Sequence, residues 1–143
     1  MTAKGTNDYV EIAKAEVSPV MYGDYNLNDV VYTVLNALQN VSTYRFYGVN
    51  VLTDILKGKQ SDKVKVNKLM RVPEFSALKD MSYERVRSII EWMIAEHYIL
   101  KTKGKYPVLH STYEGLHYSE TITENKLKKL KKYLEEEVIV WNK

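Results

Sequence analysis

The stretch "SYERVRSIIEWMIAEHYILKTKGKYPVLHS", residues 82–111, decides the fold. Ser82 can open a helix by accepting a backbone N–H bond. Behind it Val86, Ile89, Ile90 and Met93 recur at the spacing of one buried helical face. His97 falls on the same stripe and reads as a core histidine. Arg85, Ser88 and Trp92 share another face, with Trp92 as a flank-packed tryptophan. Then the period changes. Ile99 and Leu100 lead into a strand, and Val108 and Leu109 lead out of one. Between them Lys101, Thr102, Lys103, Gly104, Lys105, Tyr106 and Pro107 make a basic, aromatic tip that can bury little. A helix running straight into a hairpin is the closing half of a winged helix.

Upstream, "LNDVVYTVLNALQNV" (27–41) repeats apolar residues at i, i+3, i+4 and i+7, which predicts an amphipathic helix. Asn26 or Asn28 can cap it. "STYRFYG" (42–48) reads as a turn. Val49, Leu52, Ile55 and Leu56 form a shorter helix, and Gly58 sits where a helix C-cap belongs. "KVKVNKLM" (63–70) gives a third helical piece. Downstream, "STYEGLHYS" (111–119) turns the chain. A last helix follows, with Thr121 and Glu124 at capping-box spacing and Leu127, Leu130, Leu134 and Val138 as a narrow stripe. The predicted fold is mainly α with one small β-hairpin, a helix-turn-helix plus wing. Residues 26–119 form the winged-helix domain. Residues 1–25 read as an arm or linker, where Val10, Ile12 and Val17 could make a short strand and Gly5, Pro19 and Gly23 interrupt it. Residues 120–143 read as a C-terminal helix or a linker toward a further domain.

The 143 residues suit one domain, and 45% hydrophobic residues are enough for its core. No apolar run approaches the roughly 18–20 residues that span a bilayer, so no membrane partner is expected. No secretory leader opens the sequence, and cysteine is absent, which removes a disulfide framework and thiolate metal sites. These features point to a cytoplasmic protein, nucleoid-associated if bacterial. Net charge is only +3, but residues 57–105 hold 12 Lys/Arg against 6 Asp/Glu. A basic middle in a near-neutral chain suits a polyanion.

Three groups of residues fit nucleic acid. Lys57, Lys59, Ser61 and Lys63 surround Gly58 at a helix end, where lysines supply charge, a serine a short donor, and glycine a close backbone approach to phosphate. Arg85 and Arg87 stand in the first turns of the recognition-type helix, where guanidinium and helix dipole favour an anion together. Lys101, Lys103 and Lys105 can track a phosphate backbone, and Tyr106 can offer a flat face to an unstacked base. Base–aromatic stacking contributes roughly 1–3 kcal/mol, while opening one DNA base-pair step loses about 1.4 kcal/mol of stacking. One ring therefore offsets most of one lost step, which suits a wedge at a duplex end. The bland readings are solvated lysines, surface ion pairs of the arginines with Glu84 or Glu91, and a Tyr106 folded back on the domain. His97, His110 and His117 make no metal-ligand spacing with carboxylates, and no nucleophile sits beside a base, so no catalytic residue is expected.

The run "FYGVNVLTDILKGKQSDKV" (46–64) resembles the start of the RecQ C-terminal domain, the winged-helix module of RecQ DNA helicases. "YERVRSIIEWMIAEHYILK" (83–101) resembles that family's recognition helix and the lead-in to its wing, and "HSTYEG" (110–115) its turn after the wing. The resemblance covers roughly 27–118. It implies a module that binds forks, junctions or duplex ends in replication, recombination and repair. Lys57 and Arg87 would take the places of basic phosphate contacts, with Ser61 in the same loop. Lys59 stands where the family often has serine, and Tyr106 where some members carry a strand-separating aromatic. The parent enzymes are 3'–5' helicases that use ATP, Mg and Zn and carry two helicase lobes, partners in cis. This chain has no Walker A pattern, no acidic ATPase box and no cysteine, so it is expected to be an excised module or a stand-alone relative with no cofactor of its own. Two other classes compete. A sequence-specific winged-helix transcription regulator would use the terminal helix for dimerisation and read a palindrome. A protein-docking module would bind no DNA even at low salt.

Overall fold

A computed structural model describes residues 11–141, with side chains described as far as Glu136. The chain opens with a two-residue hairpin, β1 (Met21–Tyr22) and β2 (Tyr25–Asn26), followed by α1 (Leu27–Ser42), α2 (Val49–Lys57) and α3 (Asp62–Val66). A single 3-10 turn, Leu69–Arg71, leads toward α4 (Tyr83–Ala95). The wing is β3 (Ile99–Lys101) and β4 (Leu109–Ser111), and α5 (Tyr113–Leu116), α6 (Tyr118–Thr121) and α7 (Glu124–Trp141) complete the fold. This is the winged-helix order expected from the sequence.

Local chemistry sets the boundaries. Asn26 caps α1 by accepting the Asn28 N–H at 3.0 Å. Ser82 caps α4 by accepting the Arg85 N–H at 3.1 Å. Gly58 ends α2 with φ 79°, a left-handed conformation in which a side chain would be strained. The space is also closed, since a Cβ on Gly58 would lie 2.0 Å from Ser76 Oγ. The wing pairs antiparallel, with Leu100 opposite His110. Its pairing continues past the strands: Thr102 N–H donates to Val108 O and Val108 N–H donates to Thr102 Oγ1, both at 2.9 Å. The segment before α2 lies along β4, where Leu109 N–H donates to Tyr47 O at 2.8 Å and the Phe46 ring packs at a tilt against His110 with ring centroids 4.1 Å apart.

Several local expectations change. A hairpin besides the wing forms at residues 21–26, the expected turn over 111–119 holds the short helix α5 and the start of α6, and residues 11–20 form no strand. His97 is exposed and lies at φ 69°, because α4 stops at Ala95 and the stripe ends with it. The turn closes with Tyr98 N–H on Met93 O at 2.9 Å, leaving His97 in the left-handed place usually taken by glycine. The cap of α7 is Thr123, whose Oγ1 accepts the Lys126 N–H at 3.2 Å, while Thr121 Oγ1 donates to Glu114 O. The segment before α1 is tied down. Ile12, Ala15 and Val20 are buried, Tyr32 Oη donates to Ile12 O at 2.8 Å, and Asn28 Nδ2 donates to Ala15 O at 2.9 Å. Val10 and the side chain of Val138 lie outside the described residues.

The core sits among α1, α2, α4, the wing base and α7. Leu127, Leu130 and Leu134 of α7 are fully buried, so both flanks of the winged helix pack on its core. Tyr98 and Tyr118, the largest fully buried side chains, pack edge to face beneath it with centroids 6.1 Å apart.

Candidate nucleic-acid interface

A groove of about 460 Å³ runs between the start of α2, the outer face of α4 and the wing. Tyr47, Gly48 and Val49 form its floor. Gly48 is required there, because a Cβ would come within 2.9 Å of Pro107 O on the wing. Around the floor stand Arg45, Lys63, Arg87, Lys101 and Lys105, and no Asp or Glu lines the groove. Two ion pairs form among the described residues, Arg87–Glu91 at 3.8 Å and Lys128–Glu124 at 3.1 Å. Four of the five groove cations therefore face solvent without a carboxylate partner. The first turn of α2 adds to this field. Its N-cap is Gly48, which has no side chain to bond the first amides, and the first backbone bond is Leu52 N–H to Gly48 O. Helix N-termini with unpaired amides favour anions.

Five of the sequence-predicted residues meet here: Lys63, Arg87, Lys101, Lys105 and Tyr106. Tyr106 is 81% exposed at the wing tip, with Lys105 Nζ 5.6 Å from its ring centroid. Gly104, at φ 113°, makes the turn that holds it there. Lys103 is exposed on the same tip but does not line the groove. Arg87 hydrogen-bonds Asn50 Oδ1, which steers the guanidinium along the groove wall.

The other predicted residues sit elsewhere. Lys57 turns inward, with Nζ donating to Lys79 O at 2.7 Å and to Met81 O. It hydrogen-bonds carbonyls of the loop before α4, and this corrects its reading as a free phosphate contact. Gly58 also departs from its expected role, since its N–H and that of Lys59 are consumed by Ile55 O and Asp54 O in the helix cap. The Ser61 hydroxyl is buried with no hydrogen-bond partner among the described residues, so it offers no donor at the surface. Lys59 is exposed, 5.5 Å from the ring centroid of Tyr83. Burial, first, and then the negative charge of the nearby Asp54 carboxylate hold the Tyr83 phenol above its ordinary pKa. Arg85 leaves the groove altogether. Its Nη1 donates to Leu134 O at 3.0 Å and its guanidinium covers the Tyr22 ring at 5.4 Å, so it pins α7 and the first hairpin to α4.

Sequence reading missed Arg45 and the asparagines Asn50 and Asn67, all of which line the groove. Arg45 lay in the stretch taken for a plain turn. The sequence signal was present: an arginine inside "STYRFYG", directly before the apolar residues that become the groove floor.

The groove can hold a polyanion and present one aromatic ring to it. Zinc does not fit these residues, since cysteine is absent from the sequence and no group of three His, Cys, Asp or Glu among the described residues could hold a metal. Among the described residues, no helix is long and apolar enough to cross a membrane.

The turn after the wing has the same physical clarity. Thr112 Oγ1 donates to His97 O at 2.6 Å and accepts the Gly115 N–H at 3.0 Å. A Cβ on Gly115 would lie 2.3 Å from Tyr98 O. Threonine and glycine three residues apart are thus what lets this turn close on the wing base. No curated protein and no solved structure matches the chain. A family model, that of the RQC domain, matches residues 24–135, from the first hairpin into α7. The winged-helix order, the basic groove beside the wing and this match agree, and the chain belongs to the RQC domain family, the DNA-binding module of RecQ helicases.

Proposed function

We propose that this domain binds DNA where pairing is interrupted, at forks, junctions or duplex ends, and that its wing holds the strands apart. The carrying observation is the groove itself: five cations and no carboxylate in its lining, beside a tyrosine 81% exposed at the wing tip. Arg45, Lys63, Arg87, Lys101 and Lys105 meet phosphates, which carry affinity without reading sequence. Tyr106 stacks on the first unpaired base. In this reading the domain serves an ATP-dependent 3'–5' helicase of replication, recombination and repair, in the cytoplasm and, in a bacterium, on the nucleoid. ATP and Mg belong to helicase lobes joined in cis, and zinc to a cysteine-bearing subdomain. The regulator alternative needs a dimerisation helix, but α7 spends Leu127, Leu130 and Leu134 on its own core.

A titration of the chain with a fork, a closed duplex and a single strand, each at two salt concentrations, tests the proposal. The fork should bind tightest, with no dependence on base sequence. Tyr106→Ala should weaken fork binding by about 1–3 kcal/mol, the stacking contribution, and leave closed duplex nearly unchanged, while Tyr106→Phe keeps the ring and the affinity. Equal losses on fork and closed duplex would make Tyr106 an ordinary contact and remove the wedge.

A further inference from the structure

A second basic surface begins where the groove ends. Residues 62–71 carry Lys63, Lys65, Lys68 and Arg71 against the single acid Asp62. Lys63 and Asn67 line the groove, and Asn67 Nδ2 donates to Lys63 O at 2.8 Å, so one side of α3 belongs to it. Lys65, Lys68 and Arg71 are exposed beyond it. Lys68 is held at φ 57° between α3 and the 3-10 turn, and that bend redirects the chain toward the end of α1. There the Arg71 guanidinium lies over the Tyr44 ring, 4.7 Å from its centroid. Tyr44 is 48% exposed and directly precedes Arg45 of the groove, about 3.8 Å away along the backbone. Val66 and Met70 are 79% and 41% exposed on the same segment. The nearest carboxylate by sequence beyond Asp62 is Glu74, which accepts from Asn40 Nδ2 at 3.0 and 3.2 Å. None of Lys65, Lys68 and Arg71 enters an ion pair among the described residues.

Lysines that alternate with exposed apolar residues beside an aromatic–guanidinium pair are the ingredients of a single-strand track. The cations follow the backbone, and a base stacks on the ring or on the guanidinium plane. A protein partner would also cover Val66 and Met70. The charge and the continuity with the groove favour nucleic acid.

We propose that Tyr44 and Arg71, with Lys65 and Lys68, form a second binding strip that carries a single strand leaving the wing. The proposal rests on the groove being the DNA site. Wild-type chain and the Tyr44→Ala, Tyr44→Phe, Arg71→Ala and Lys65→Ala/Lys68→Ala variants are titrated with a blunt duplex and with the same duplex bearing a 3' or a 5' single-stranded tail. A fluorescent base analogue in the tail reports stacking. Tyr44→Ala should weaken binding of one tailed duplex by about 5- to 150-fold, the range expected for one base–aromatic stack. It should restore the free analogue's fluorescence and leave the blunt duplex unchanged. Tyr44→Phe should behave as wild type, and the lysine pair should reduce the salt dependence on the tailed duplex only. Both tyrosine variants should melt at the wild-type temperature, since the ring is half exposed. If wild type binds blunt and tailed duplex equally, or Tyr44→Ala changes neither tailed substrate, the strip does not bind DNA and its apolar residues are left as a protein-docking surface. If wild type binds no DNA at all, the groove reading fails, and this one with it.

Discussion

Arg85 and Arg87 stand two residues apart on α4, which places them about 200° apart around the helix axis at 3.6 residues per turn. One can face DNA only if the other does not. The sequence reading gives both to DNA, yet Arg85 shares its face with Ser88 and Trp92, both buried in the structure. The structure sends Arg85 to Leu134 O and leaves Arg87 on the groove wall. Arg87→Ala should therefore weaken binding to every DNA tested and lower the log–log salt slope by about one. Arg85→Ala should leave both unchanged and lower the melting temperature, because it frees a carbonyl of α7. Lys57→Ala should follow Arg85→Ala, since its ammonium serves the carbonyls of Lys79 and Met81. Binding isotherms at two salt concentrations, read beside thermal melts, separate the two kinds of residue. A salt-slope change in the Lys57 variant would return that lysine to the interface.

At the scale of elements, α7 is charged against its dipole, with Lys126, Lys128, Lys129, Lys131 and Lys132 early and Glu135, Glu136 and Glu137 late. Alone it would fray. Burial of Leu127, Leu130 and Leu134 outweighs this, since a dipole term is worth about 0.3–1 kcal/mol and a fully buried leucine about 1.5–3 kcal/mol. Leu130→Ala should cost about 2–5 kcal/mol, and amides between Leu127 and Leu134 should exchange as slowly as those of α4. Rapid exchange there would mean that α7 is only loosely docked. Gly115→Ala should destabilise by about 1–3 kcal/mol through overpacking on Tyr98 O. The longer helices, their order and the wing were legible because each carries an apolar period, whereas α5 and α6, of four residues each, are too short to show one and read as a turn. The docking of residues 12–20 was not legible. Ile12, Ala15 and Val20 follow no period, and their segment is held by Tyr32 and Asn28, which donate across the fold to the carbonyls of Ile12 and Ala15. The inward turn of Lys57 escaped for the same reason: its partners are carbonyls 22 and 24 residues away, and a carbonyl leaves no mark in a sequence.

For the molecule as a whole, two linkages can be measured. Burial, first, and then the neighbouring Tyr98 and Asp29 push the Tyr118 phenol far above its ordinary pKa. Above about pH 10 the unfolded chain releases a phenolic proton that the folded chain keeps. The unfolded state then binds fewer protons and stability falls as pH rises. Melts between pH 8 and 11 should show this loss, and Tyr118→Phe should flatten part of it, the rest coming from Tyr25 and Tyr83, whose pKa values are also raised. The other linkage is to salt, and it separates local from global charge. A net charge of +3 spread over the surface would give DNA only weak, diffuse attraction. Five cations gathered in one groove can displace counterions from several phosphates together. Each neutralised phosphate of duplex DNA contributes about −0.9 to the log–log slope. Arg87 already shares its charge with Glu91, so four to five contacts predict a slope of about −4 on closed duplex. A slope near −1 would mean that the groove cations do not meet the backbone together, and that whatever affinity the domain has for DNA comes from elsewhere on its surface.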